Sequence, residues 1–224
     1  MRTFLIPGFG EEPWIFDPLL GALPGTKILI GHSDLIGAML RPDYHVQDYA
    51  HQLIQTHDIG PHDLLIGHSM GGWVAYAIKQ VTGSRVVQIA SWTDPAKVVS
   101  PVENADLIYW AARNHLYFNR YNKALITWMA YRGKPSAPVF GRIFQNLIDS
   151  PTAYVVNQLR IIFAGVTFDH PQPPELRIHS QADTIVRTPD EPFHEVPGDH
   201  FNLYTHPEEV KAILRSEHCS SIIG

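Results

Sequence analysis

Cysteine is almost missing from this chain of 224 residues: the only one is Cys219, so no internal disulfide can form, and it reads as a spectator thiol. No Cys/His spacing suits zinc, and no metal or cofactor is expected. Charge is sparse, 17% of residues, without a basic run, and the net −5 gives no general attraction to nucleic acid or to an anionic membrane. The longest apolar runs fall far short of the roughly 20 residues that cross a bilayer. The opening MRTFLIPGFGEE lacks the cationic start, long apolar stretch and small-residue cleavage site of a signal peptide. These absences lead us to expect a cytoplasmic protein without membrane or nucleic-acid partners. Internal repeats, low-complexity tracts and interdomain linkers are also missing.

What remains is globular, with 45% hydrophobic residues in 25.2 kDa, enough for one domain with a modest insertion. Short β-branched runs, TFLIP (3–7), KILIG (27–31), DLLIG (63–67), RVVQIA (85–90), ELRIH (175–179) and HEVPG (194–198), alternate with helical patterns at 13–23, 46–57, 70–83 and 206–217. Alternation of this kind predicts an α/β fold, a mostly parallel sheet of about six strands with helices on both faces. It breaks between Pro95 and Pro174, where the pattern is helical and aromatic. Residues 95–168 hold eight Lys/Arg against three Asp/Glu, a local +5 that leaves −10 for the rest. A helical cap inserted at about 95–174 is the expectation, its basic excess a solvated face that matters only for an anionic substrate.

Gly-His-Ser occurs twice, each time after a short apolar run. Gly67-His68-Ser69-Met70-Gly71-Gly72 fits G-x-S-x-G; Gly31-His32-Ser33-Asp34-Leu35 does not. The distinction is steric. A sharp strand-to-helix turn holds its serine in a strained backbone, and side chains two residues either side would strike the neighbouring strand or helix. Glycine avoids that collision and Leu35 does not. Ser69 is therefore the candidate nucleophile, with Ser33 and His32 expected in a loop at the rim and His68 packing or hydrogen bonding.

A serine hydroxyl needs a base, and the base needs a carboxylate to fix its tautomer. Downstream, IHSQADTIV offers Asp183, and PGDHFNLYTHPEEV offers His200; Asp94, at the end of the fourth strand, is an alternative acid. Asp199 adjoins His200 too closely in sequence to aim at it. His194 starts a strand and His206 caps a helix, so neither is favoured as the base.

The GHSMGG elbow, the acid and the histidine, in that order, resemble the α/β-hydrolase superfamily over nearly the whole chain, in the form of a small capped serine hydrolase. The resemblance implies Ser69 as nucleophile, His200 as general base and then acid, Asp183 as its carboxylate, and an oxyanion hole from the N–H groups of Met70 and Phe9. Two features depart from the family pattern: Pro7-Gly8 stands where His-Gly is usual, and the first antiparallel strands are absent. Trp14 and Trp92 are the first candidates for substrate contact, followed by cap aromatics such as Trp110 and Trp128. The expected activity is hydrolysis of small to medium apolar carboxylic esters through an acyl-enzyme. A thioesterase, amidase or carbon-carbon bond hydrolase would use the same three side chains, and a slow-turnover ligand-binding protein is the alternative from another class.

Overall fold

Every strand pairs in parallel in the computed structural model, which describes residues 1–37, 39–100 and 102–216; Cys219 lies outside them. The strands are β1 (Arg2–Ile6), β2 (Thr26–Leu29), β3 (Leu64–His68), β4 (Arg85–Ile89), β5 (Leu176–His179) and β6 (His194–Glu195), in the order β2-β1-β3-β4-β5-β6. The chain steps outward from β1 to β2, returns to β3 on the other side of β1, and then runs to β6. Strand order therefore reverses between β1 and β3, where the loops leaving the strand ends diverge and open a crevice.

The interior strands are buried along nearly their whole length and mostly apolar, because both faces are covered. Successive side chains alternate: Leu5, Leu64, Ile66 and Val87 join one cluster, Phe4, Ile6, Leu65 and Val86 the other. The first face is covered by a 3₁₀ segment, Pro13–Ala22, and by helices near the C-terminus; the second by central helices whose Tyr49, Leu53, Trp73 and Ile78 are fully buried. The stretch expected to be helical at 13–23 does not wind as an α-helix. Pro18 lies inside it, lacks the amide an α-turn requires and crowds the preceding carbonyl.

In chain order the α-helices are α1 (Ser33–Ile36), α2 (Val46–His57), α3 (Met70–Thr82), α4 (Ala105–Arg113), α5 (Arg120–Ile126), α6 (Ala137–Asp149), α7 (Thr152–Phe163), α8 (Asn202–Thr205) and α9 (Pro207–Arg215). Helix α2 starts from a capping box in which the Asp48 carboxylate accepts from the His45 amide at 3.0 Å, and α3 ends at Gly83 in the left-handed region. Four of the helices, α4 to α7, lie between β4 and β5, with a π-turn at Thr127–Tyr131. Helix α7 ties this layer to the body: the Trp73 indole N–H donates to the Ile161 carbonyl at 2.9 Å. No described helix is long and apolar enough to cross a membrane. Among the described residues, no group of three or more His, Cys, Asp or Glu could hold a metal ion.

Candidate active site

Ser69 lies between the last residue of β3 and the first of α3, with φ 53° and ψ −124°. Such a backbone is costly for a residue with a side chain and persists only where its surroundings hold it. Here the Ser69 amide donates to the Ile89 carbonyl at 3.0 Å, and its own carbonyl accepts from the Ser91 hydroxyl at 2.7 Å. The flanking glycines are sterically required. A Cβ at Gly67 would meet the Gly71 and Gly72 backbone, and one at Gly71 would overlap the Ile6 and Pro7 carbonyls.

The turn presents Ser69 Oγ 2.9 Å from His200 Nε2, and His200 Nδ1 lies 2.8 Å from Asp183 Oδ2. The other Asp183 oxygen accepts from the Ile185 and Val186 amides at 2.8 and 2.9 Å. Since Nδ1 faces a carboxylate, it carries a proton, leaving Nε2 to accept from the serine hydroxyl. Burial works against charge on both groups, but their mutual attraction prevails. Despite burial, the His200 charge and hydrogen bonds hold the Asp183 carboxyl below the usual range; despite burial, the charge and hydrogen bond of Asp183 push His200 above its ordinary value.

Other candidates have different partners. Asp94 accepts from the Ala96 amide at 2.9 Å and caps the 3₁₀ turn Pro95–Lys97. Asp199 accepts at 2.5 Å from buried Ser136, beside the start of α6, linking the His200 loop to the helical layer. His194 begins β6, and His206 is the N-cap residue of α9, as expected, though its side chain makes no cap bond and its Nδ1 lies 2.9 Å from the Thr205 hydroxyl. His32, expected in a loop at the rim, is buried: it bonds the Tyr49 hydroxyl at 2.6 Å and the Pro7 carbonyl at 2.8 Å, and burial lowers its pKa to about 4. Ser33 opens the one-turn helix α1.

Two further residues, Glu11 and Gln158, reach the site's loops without standing in a motif of their own. The Glu11 carboxylate accepts from the Gly8 amide at 2.5 Å and lies 2.8 to 2.9 Å from His68 Nδ1, while His68 Nε2 is 2.9 Å from the His200 carbonyl. In GFGEE, Glu11 looks like a surface acid, yet its side chain is buried. The Gly10 amide donates to Gln158 Oε1 at 3.0 Å. Among the described residues, no acceptor engages the amides of Phe9 or Met70.

Ser69 and His200 open onto a chamber of about 400 Å³. Phe9, Trp92 and Ile185 line it from the body, and Tyr131, Phe140, Phe144 and Leu159 from the helical layer. Among the described residues, no Lys or Arg lines it, so the layer's basic excess does not enter it. Of the four tryptophans considered for substrate contact, Trp92 lines the chamber and Trp14, Trp110 and Trp128 do not. Trp14 lies in a neighbouring groove, edge-on to Tyr204, with the Arg142 guanidinium 3.9 Å above its ring. Trp110 is 54% exposed because Tyr109 and Ala112 supply the inward face of α4. Trp128 is 62% exposed because the wider π winding turns it away from the face that Tyr131 presents to the chamber.

The sequence profile described as the alpha/beta hydrolase family matches residues 4–213. The chain belongs to the alpha/beta hydrolase family. Solved structures agree in fold. A hydrolase from Oleispira antarctica superposes with a TM-score of 0.72 at 15% identity, over 95% of this chain and 89% of its own. The enol-lactonase from Burkholderia xenovorans gives 0.71 at 17% identity over 95% and 89%, and a thermophilic esterase from Thermogutta terrifontis 0.63 at 17% over 100% and 91%. No curated protein matches the sequence. Within this family the chain has the six-stranded parallel sheet expected of it.

Proposed function

We propose that this alpha/beta hydrolase cleaves small to medium apolar carboxylic esters through an acyl-enzyme, without a cofactor, acting on small molecules in the cytoplasm. The observation that carries the proposal is the hydrogen-bonded run Ser69–His200–Asp183 opening onto an apolar chamber without cations. In this reading residues 95–174 form the cap that supplies the chamber's roof.

The steps follow from the geometry. Ser69 Oγ attacks the ester carbonyl carbon while His200 Nε2 takes the hydroxyl proton, and Asp183 remains ionised and stabilises the imidazolium. Negative charge on the carbonyl oxygen is met by the Phe9 and Met70 N–H groups, the latter at the positive end of α3. Collapse breaks the bond to the alcohol, which leaves with the proton from His200. Water then attacks the acyl-serine, gives its proton to His200, and releases the acid as Ser69 Oγ recovers that proton. Asp94, spent on its turn, takes no part.

A panel of p-nitrophenyl esters from acetate to decanoate tests the reading, with matched thioesters and anilides alongside. The expected outcome is the highest kcat/KM on short to medium neutral acyl chains and at least about tenfold less on the anilides. Faster turnover of thioesters, or of esters with anionic acyl groups, would reject it.

A further inference from the structure

Two histidines from the two Gly-His-Ser segments converge on the loop after β1. His32 Nε2 donates to the Pro7 carbonyl, and His68 meets Glu11, which holds the Gly8 amide. Proton accounting constrains the second contact. The His200 carbonyl can only accept, so His68 Nε2 carries a proton; His68 Nδ1 faces both carboxylate oxygens of Glu11, so one further proton lies between them. However that proton is shared, the pair is neutral overall, which makes its burial beside Ser69 tolerable. The packing is close: a Cβ on Gly8 would lie 2.8 Å from Glu11 Oε2 and 2.9 Å from Ser69 Cβ.

Glu11 and His68 thus join three segments that must stay in register: the loop carrying Phe9, the strand end carrying Ser69, and the backbone of His200. We propose that Glu11 and His68 are a proton-sharing positioning pair that holds the Pro7–Glu11 loop and the His200 backbone against Ser69. By taking the Gly8 amide, Glu11 fixes the turn from which the next amide, that of Phe9, faces developing negative charge. This inference rests on the ester-hydrolase reading for its kinetic consequence, but its hydrogen bonds can be read without turnover.

The test compares wild type with Glu11→Ala and Glu11→Gln. Glutamine can still accept from the Gly8 amide and can donate to a neutral His68 Nδ1; alanine can do neither. Alanine should lower kcat by about 30-fold and leave KM within about twofold, since the chamber's apolar lining is intact, and glutamine should recover kcat to within about threefold of wild type. In parallel, NMR should show the Gly8 amide shifted downfield and protected from exchange in wild type, and both features lost in Glu11→Ala while the Leu5 amide of β1 is unchanged. The wild-type ¹⁵N imidazole spectrum should show His68 Nε2 protonated, a measurement that needs no folded variant. Equal kcat in wild type and Glu11→Ala, equal impairment of Gln and Ala, an unmoved Gly8 amide, or an unprotonated His68 Nε2 would each overturn the proposal. A wild type that hydrolyses no ester would reject the ester reading, and the amide and imidazole spectra would still decide the pair.

Discussion

The two Gly-His-Ser segments share three residues and the preceding apolar run, yet their serines have opposite environments. At 31–33 the histidine turns into a right-handed backbone, φ −74°, ψ −28°, and Ser33 starts a single helical turn. At 67–69 the chain reverses sharply and Ser69 is held at φ 53°. The residues just after each serine make the difference. Gly71 and Gly72 let α3 begin against the Ile6 and Pro7 carbonyls and Ser91, whereas Leu35 leaves no such approach. The histidines are more alike than the serines: both end up buried and bonded to the loop after β1.

Substitution at the paired positions should break the likeness most visibly at the serines. Ser69→Ala should lower kcat by about 10⁴-fold or more, because serine, base and acid act as a unit. Ser33→Ala should stay within about twofold in the same ester assay.

The acids come next. Asp183→Asn should lower kcat by about 10³-fold through the wrong His200 tautomer, while Asp94→Asn, which touches only its own turn, should change it less than about twofold. The pH profile gives the sign independently. His200 must be neutral to accept a proton and Asp183 raises its pKa, so kcat/KM should rise with pH through a midpoint above the ordinary value of about 6.5. Any residual activity of Asp183→Asn should titrate at lower pH.

The glycines should separate in stability. Gly71→Ala places a methyl group on two backbone carbonyls and should cost about 3 kcal/mol or prevent folding, whereas Gly31→Ala has nothing within 4 Å and should change chemical-denaturation midpoints little. The smallest effects should come from the tryptophans. Trp92→Ala should alter KM across acyl-chain lengths by several-fold, and Trp128→Ala should leave the series in place.

Much of this arrangement was legible in the residues. Apolar runs at 63–67 and 85–90 fall within a residue of β3 and β4, since strands buried on both faces need continuous apolar stretches. The elbow was legible because its glycines answer a local steric demand. Glu11 was not: it stands beside Gly10 and Glu12 in a loop that reads as surface, and its partner His68 is brought to it only by the pairing of β1 with β3. A carboxylate three residues after Gly8 in a tight loop was the one available signal. Trp110 and Trp128 show a different limit. Helical spacing says which residues share a face, not which face turns inward, and the π-turn before Tyr131 changes the spacing itself.

The central claim, that Ser69 rather than Ser33 is the reactive serine, is tested most directly by intact-protein mass after incubation with a fluorophosphonate. One adduct is expected on wild type and on Ser33→Ala, and none on Ser69→Ala. An adduct that persists in Ser69→Ala, or a wild type that takes up none, would contradict it.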